Sequence, residues 1–207
     1  MAVKDMDTIE SKPLSVRIGG IGGQGNIKMG LMLAKTLTYD RKWVVQSQHY
    51  GAQVRGGVAY SDVLFAQDPI DFPKAYTFNM LYIMDQKPLD SFITLLKPNG
   101  VLVCDTTTIK KIPTFVKRLT RKVIAMPIAQ MCTEKFGTPV VSNVVGLGLI
   151  YKISGIITLE NLQKTVSEEV SKKYYEMNMQ AIQFGMTLSD KEYSLKDEKL
   201  FTKVSFE

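Results

Sequence analysis

The chain has 207 residues, 45% of them hydrophobic, and a formal net charge of +6. This length and composition suit one ordinary hydrophobic core, so we expect a single domain. The first twelve residues are charged rather than apolar, and no apolar run reaches the length of a membrane span, which predicts a cytoplasmic protein without a membrane partner. The two cysteines, Cys104 and Cys132, are too few and too widely spaced for a metal or iron–sulfur site on this chain alone.

A glycine-rich turn follows the first apolar segment. Residues 14–18 predict a β-strand, residues 19–25 read Gly-Gly-Ile-Gly-Gly-Gln-Gly, and a helical pattern begins at Asn26. The spacing fits Gly-x-Gly-x-x-Gly, in which a tight turn brings the backbone amides of a helix N-terminus close to an anion. The candidate phosphate contacts in this turn are Gly20, Gly22, Gly23, Gln24 and Gly25.

Three interpretations of this turn remain open. A dinucleotide site also needs an acidic residue about 20 positions later, at the end of the second strand. That strand, residues 43–48, is followed by His49 and Tyr50, and neither a carboxylate nor an arginine for a 2'-phosphate stands there. NAD binding is therefore disfavoured, which leaves a purely structural strand-to-helix turn, or a phosphate or partner contact at the helix N-terminus.

The rest of the chain alternates between strand and helix signals. We expect a mixed, mostly parallel sheet flanked by helices, in a single α/β domain with C-terminal helices. The short connection between the second and third strands predicts an antiparallel pair. The first helix is expected to bury Ile27, Leu31, Ala34, Leu37 and Thr38, with Gly30 facing the sheet. Further strands are predicted at 44–48, 58–66, 78–84, 101–104 and 122–126, helices at 88–96, 140–153 and 159–188, and a turn at 97–100.

The composition of the two ends suggests the domain organisation. We expect an N-terminal extension over residues 1–13, the α/β domain over 14–188, and a polar tail over 189–207 that becomes ordered only on a partner. In the predicted helix 159–188, the apolar residues follow helical steps of three and four, so that one face seeks a core. These residues are Leu159, Leu162, Val166, Val170, Tyr174 and Met177.

A second glycine-rich segment follows the second strand. It reads Tyr50-Gly51-Ala52-Gln53-Val54-Arg55-Gly56-Gly57 and places one arginine between two glycine hinges. An arginine in this setting can grip an anion with two hydrogen bonds or lie at the desolvated centre of an interface. The alternative is a β-turn whose arginine points to solvent.

The chain shows no self-contained catalytic set. His49 is the single histidine, and no serine or cysteine is placed beside it by a motif, which favours a structural or surface role. The strongest charge cluster is Lys110, Lys111, Lys117, Arg118, Arg121 and Lys122. This cluster could meet an anion or an acidic partner, but a solvated helix face is favoured. Because no aromatic residues are interleaved with it, nucleic-acid binding is not expected.

Taken together, the two glycine motifs make the chain resemble the gamma subunit of 2-oxoacid:ferredoxin oxidoreductases. The resemblance covers residues 14–188 and includes Asp68-Pro69-Ile70, the Leu96–Val101 turn and the Asn143–Gly148 helix start. Asn178, Ala181 and Gly185 of the last helix also belong to it. Ala52 and Gln53 depart from the Pro-Glu that many members carry, which leaves a carboxylate role at that point in doubt.

The resemblance implies a multi-subunit enzyme that oxidatively decarboxylates a 2-oxoacid to an acyl-CoA. In such an enzyme, thiamine diphosphate and iron–sulfur clusters lie on alpha, beta and iron–sulfur (delta) subunits, and ferredoxin accepts the electrons. The gamma chain binds none of these cofactors by itself and contributes assembly and coenzyme A contacts. The second motif is more similar to that of 2-oxoglutarate and branched-chain members than to that of pyruvate members. The expected interface residues are Tyr50, Gly51, Arg55, Gly56, Gly57 and Asn143.

Two rival functions remain for this sequence. One is a stand-alone nucleotide-dependent oxidoreductase or transferase that uses the first glycine turn. The other is a regulatory binding module without an enzymatic partner.

Overall fold

The computed structural model describes residues 13–51 and 56–195. Its centre is a six-stranded sheet with the order β2-β3-β1-β4-β5-β6. The strands are β1 (Leu14–Ile21), β2 (Trp43–Tyr50), β3 (Val58–Ala66), β4 (Phe78–Ile83), β5 (Leu96–Asp105) and β6 (Val123–Met126). The helices are α1 (Asn26–Tyr39), α2 (Gln86–Phe92), α3 (Val116–Leu119), α4 (Ile128–Phe136), α5 (Ser142–Ser154), α6 (Leu159–Glu169) and α7 (Tyr175–Thr187). Short 3₁₀ turns occupy Ile93–Leu95, Pro139–Val141 and Lys172–Tyr174.

The sheet is mixed and mostly parallel. Strands β1, β4, β5 and β6 run parallel to one another, whereas β3 is antiparallel to both β1 and β2. This arrangement confirms the predicted single α/β domain and the antiparallel β2–β3 pair. Because the carboxyl ends of the parallel strands all lie at the same end of the sheet, the glycine turn and the starts of α1, α2 and α4 lie there together.

Two hydrophobic cores lie on opposite faces of the sheet. The larger core joins α1, α4, α5, α6 and α7 to side chains such as Ile18, Val63 and Tyr82. The smaller core joins α2 and α3 to Leu81, Ile83 and Leu102. The helices predicted to flank the sheet therefore cover both faces, with most of the helical mass on one side.

Helix α1 is rotated relative to the sequence-based expectation. Its buried residues include Met29, Met32, Leu33 and Leu37, whereas Leu31 is 41% exposed. Thr38 is also exposed, so the prediction was wrong for two of the five residues expected to face inward. The expected position of Gly30 is confirmed, because a Cβ atom there would lie 2.2 Å from the Ser61 hydroxyl. This close approach to β3 sets the rotation of the helix.

Other helix and turn boundaries differ from those predicted. The long helix expected over 159–188 is two helices, since the backbone is extended at Val170 and Ser171. The helix expected over 88–96 is α2 followed by a 3₁₀ turn. Residues 97–100, predicted as a turn, belong to β5, where the register with β4 shifts and Asn99 has a φ of 57°. Helix α4 was not predicted, because its start at Pro127 has no side-chain cap to mark it.

The first part of the expected polar tail packs onto the domain. Leu195 is 5% exposed and its carbonyl accepts a hydrogen bond from Asn79, while the Tyr193 amide donates to Ile153 at 2.6 Å. This part of the tail therefore packs on the domain within the chain itself, and the expectation of ordering on a partner stays a prediction. Residues 196–207, like the extension over 1–12, lie outside the described residues.

Candidate functional site

The predicted strand–turn–helix unit is present at the end of β1. The strand ends at Ile21, and α1 begins at Asn26 after a four-residue turn. Gly23 and Gly25 have φ angles of 102° and 77°, a left-handed backbone that favours glycine. At Gly20 the reason for glycine is space, because a Cβ atom would lie 2.8 Å from the Gln24 amide oxygen.

Gln24 holds the turn closed from inside. Its Oε1 accepts the Ile21 amide at 2.9 Å, and its Nε2 donates to the Met84 carbonyl at 3.1 Å. The Thr108 hydroxyl donates to the same carbonyl at 2.6 Å. Gln24 was expected as a phosphate contact, but its side-chain amide is used to tie the turn to the ends of β4 and β5.

Two buried asparagines support the turn from the sheet and from α5. Asn26 is 2% exposed and donates from Nδ2 to the Ala59 carbonyl at 2.6 Å. Asn143 is 8% exposed, and its Nδ2 lies 3.0 Å from the place where a Gly25 Cβ atom would be. Asn143 was expected at an interface, and its burial gives it a packing role inside the chain. Asn26 was missed, since nothing in the local sequence marks its contact with β3.

The second glycine motif lies beside the first. The Gly22 amide donates to the Gly57 carbonyl at 3.1 Å, and the Gly51 amide donates to the Val58 carbonyl at 2.9 Å. Gly56 has a φ of 74°, and Tyr50 is 69% exposed. Ala52, Gln53, Val54 and Arg55 lie outside the described residues. We call Gly22–Gly25 together with Tyr50, Gly51, Gly56 and Gly57 the glycine site.

The glycine site offers backbone donors and a helix dipole. Helix α1 has 14 residues, no side-chain cap at Gly25 and no acidic residue in its first turn. Such an N-terminus favours a negatively charged ligand. Lys28, in that first turn, is directed away, because its ammonium group donates to the Glu169 carbonyl at 3.0 Å. Lys28 therefore supplies no cation at this N-terminus, and Arg55 of the second glycine motif is the cation that the sequence predicts for an anion here.

The sheet order does not fit a dinucleotide site. In the doubly wound dinucleotide fold, the strand beside β1 is a parallel strand whose end carries the acidic ribose ligand. Here the neighbour on that side is the antiparallel β3, and β2 lies one strand further out. The strand order and the absence of an acid at Gln48, His49 and Tyr50 both argue against NAD.

The lone histidine has a structural setting. His49 is exposed but stacks on Tyr60 with a centroid distance of 4.5 Å. The Arg17 guanidinium lies 4.1 Å from the Tyr60 ring and forms two hydrogen bonds of 2.7 Å to the Asp62 carboxylate. Arg17 and Asp62 are both buried, and each satisfies the charge of the other. This stack supports the sheet beneath the glycine site and contains no nucleophile.

The two cysteines are not placed to ligate the same metal ion or iron–sulfur cluster. Cys104 belongs to the smaller core and Cys132 to the larger one, so the sheet separates them. Burial raises the pKa of each thiol to about 12. Both thiols therefore remain protonated near neutral pH, whereas metals and iron–sulfur clusters are bound by thiolates. Among the described residues, no group of three or more histidine, cysteine, aspartate or glutamate side chains could hold a metal ion.

A cleft and the basic cluster are two further surface features. A cleft of about 400 Å³ lies between the C-terminal end of α5 and residues 192–194. Asn143 and Gly155 mark the two ends of α5, so this cleft is roughly 18 Å from the glycine site along the helix axis. In the basic cluster, Lys117, Arg118 and Arg121 are exposed on and after the short α3, as a solvated helix face requires. No helix in the described parts of the chain is long and apolar enough to cross a membrane.

Comparisons with known proteins agree with this fold. Residues 15–188 match the family described as pyruvate ferredoxin/flavodoxin oxidoreductase. The chain is 31% identical over 173 residues to the 2-oxoglutarate synthase subunit KorC of Methanocaldococcus jannaschii, covering 82% of this chain and 90% of that protein. It is 30% identical over 176 residues to the KorC subunit of Methanothermobacter marburgensis, covering 84% and 95%.

A solved structure carries the same fold. The gamma subunit of a keto/oxoacid ferredoxin oxidoreductase from Geobacter sulfurreducens aligns with a TM-score of 0.75 and 31% identity. The alignment covers 84% of this chain and 94% of that one. The family match over most of the chain and these near full-length relatives give one conclusion: the chain belongs to the pyruvate ferredoxin/flavodoxin oxidoreductase family, as a gamma-type subunit.

Proposed function

We propose that this chain is the gamma subunit of an enzyme that oxidatively decarboxylates 2-oxoglutarate, or a related 2-oxoacid, to its acyl-CoA. Support for the 2-oxoacid comes from the relatives named 2-oxoglutarate synthase, which are near full-length matches. The chain itself supplies no catalytic residue. Thiamine diphosphate and the iron–sulfur clusters are proposed to lie on alpha, beta and delta subunits, and ferredoxin to accept the electrons.

The glycine site is proposed to contact the phosphate groups of coenzyme A in the assembled enzyme. The observation that carries this proposal is the Gly22–Gly57 hydrogen bond, which holds the uncapped N-terminus of α1 beside Gly57 of the second glycine motif. Backbone amides and a helix dipole are usual elements of a phosphate site, and the second motif adds one arginine, Arg55, in the sequence. Tyr50 is exposed and available for contact with the adenine or with a neighbouring subunit.

The domain boundaries follow from this assignment. We propose that residues 14–188 form the gamma-type domain and that residues 196–207 provide the tail that contacts a partner. Residues 189–195 follow this domain and pack on it through Leu195.

The coenzyme A contact is tested with Arg55 variants in the assembled enzyme. We expect Arg55→Ala to raise the KM for coenzyme A or to weaken the affinity for partner subunits by tenfold or more, because truncating a desolvated charge contact costs about 2–5 kcal/mol. Arg55→Lys keeps the charge but loses the two-pronged geometry, so an intermediate loss is expected. Arg118→Ala, in the exposed basic cluster, is the matched control. Wild-type values for both quantities in both Arg55 variants would leave Arg55 as an exposed turn residue.

A titration separates the rival enzyme function from this one. A stand-alone nucleotide-dependent enzyme would bind NAD, NADP or S-adenosylmethionine tightly as the purified chain. We expect no tight binding of any of them, since the strand order and the missing acid both disfavour a dinucleotide.

A further inference from the structure

Strand β2 forms an unprotected edge of the sheet. Within the described residues it pairs with β3 alone, and all eight of its residues are in continuous register without a bulge. Natural edge strands are normally blunted by short length, a bulge, a proline or charged side chains, because a free row of amides and carbonyls invites pairing with another chain. Strand β2 contains no Lys, Arg, Asp, Glu or Pro. The strand at the opposite edge, β6, has only four residues, and this short length protects that edge from pairing with another chain.

Large aromatic residues stand at both ends of this edge. Trp43 is 56% exposed and Tyr50 is 69% exposed. Tryptophan and tyrosine are enriched among the residues that contribute most to protein interfaces. Tyr50 also belongs to the glycine site, so the edge continues directly into it.

The charges around the strand indicate what kind of segment would fit. Residues 41–57 contain Arg41, Lys42 and Arg55 and no acidic residue. Lys42 is turned inward, where its ammonium group donates to the Ile156 carbonyl and lies over the Phe65 ring. Arg41 is exposed. A second copy paired edge to edge would offer Arg41 no acidic residue from 41–57, which favours an acidic partner over a second copy.

We propose that the free edge of β2 binds an extended segment of another subunit as an additional strand. The segment would be uncharged over the paired residues and would carry aspartate or glutamate beside Arg41 and toward the glycine site. Main-chain hydrogen bonds would supply the binding energy, with Trp43 and Tyr50 as aromatic contacts at either end. This inference rests on the proposed function as a subunit of a multi-chain enzyme.

A charged substitution on the strand tests the pairing. Gln48 is exposed on β2, and Gln48→Lys places on the edge the kind of residue that natural sheets use against added strands. Gln180→Lys, at an exposed position of α7, adds the same charge elsewhere and is the matched control. We expect Gln48→Lys to weaken assembly with the partner subunits by at least tenfold, with the melting temperature of the free chain unchanged and the control equal to wild type. Equal assembly of both variants would overturn the proposal.

Hydrogen exchange of the full chain, alone and in the assembled enzyme, provides an independent readout. About half of the amides in an edge strand point away from the neighbouring strand. In residues 43–50 these amides should exchange rapidly in the free chain and at least 100-fold more slowly in the complex. Unchanged exchange on assembly would overturn the proposal. Slow exchange in the free chain would also overturn the proposal. Protection that does not depend on protein concentration would show that a segment of this chain covers the edge, and protection that rises with concentration would show that a second copy covers it.

The same preparation distinguishes this inference from the proposed function. If oxidoreductase subunits co-purify with the wild-type chain but the β2 amides remain unprotected, only the edge inference fails. If no such subunits co-purify, the proposed function fails, and the edge inference that rests on it fails with it.

Discussion

The packing of Gly25 against Asn143 can be tested with a pair of glycine variants. Gly25 has a φ of 77° and Gly137 a φ of 73°, so Gly→Ala imposes nearly the same left-handed backbone at both positions. That strain costs about 1–2 kcal/mol for a residue with a Cβ atom. The gain from restricting the unfolded chain, about 0.4–1 kcal/mol, is common to both variants and cancels in the comparison.

The two positions differ in the space around them. A Cβ atom at Gly137 meets nothing within 4 Å, whereas one at Gly25 lies 3.0 Å from Nδ2 of the buried Asn143. The amide must therefore shift against its neighbours, which we expect to add about 1 kcal/mol, the lower end of the cost of overpacking. Net of the gain in the unfolded chain, Gly25→Ala should destabilise the chain by about 1–2.6 kcal/mol and Gly137→Ala by about 0–1.6 kcal/mol, a difference of about 1 kcal/mol.

Urea unfolding of the full chain measures both values, provided that the slope of the transition is unchanged. The double variant Gly25→Ala with Asn143→Ala should show a coupling of about 1 kcal/mol. Equal losses in the two single variants would refute the contact with Asn143. Wild-type stability of Gly25→Ala would refute the left-handed turn itself.

Three further outcomes are expected. The thiols of Cys104 and Cys132 should react slowly with a thiol reagent at pH 8 in the folded chain and rapidly after unfolding, since burial raises the pKa of both to about 12; fast reaction of either thiol in the folded chain would contradict its burial. Hydrogen bonds from Tyr39 and Lys35 lower the pKa of Glu168 in the folded chain. Its contribution to stability is therefore present above the unfolded pKa and is lost as pH falls through the folded pKa. Between pH 6 and 3 the urea midpoint should fall more in wild type than in Glu168→Gln, and identical pH profiles would exclude this contribution. Metal analysis of the chain purified alone should find no stoichiometric iron or zinc, because the two thiols are separated by the sheet.

The sequence predicted the elements whose signals are local. The glycine run after an apolar strand marked the β1–α1 turn, and Val58–Ala66 was predicted with its observed bounds. Two motifs thirty residues apart carried the family resemblance, and the Gly22–Gly57 hydrogen bond places them side by side. The short β2–β3 connection correctly predicted an antiparallel pair.

The errors occurred where contacts distant in sequence decide the structure. The rotation of α1 depends on the approach of Gly30 to Ser61, which helical periodicity does not show. The contacts of Gln24 with the Met84 carbonyl and of Asn143 with Gly25 also depend on distant residues, and the ligand and interface roles expected for these two side chains stay predictions. Polar composition suggested a free tail from Ser189, although Leu195 and the backbone hydrogen bonds of 193–195 fix its first part.

Purification of the chain from its native source at endogenous level tests the central claim most directly. The chain should co-purify with subunits that carry thiamine diphosphate and iron–sulfur clusters, and the preparation should reduce an electron acceptor only when a 2-oxoacid and coenzyme A are both present. 2-Oxoglutarate is expected to be the preferred 2-oxoacid. A chain that purifies without such subunits, or a preparation whose activity does not require coenzyme A, would contradict the account.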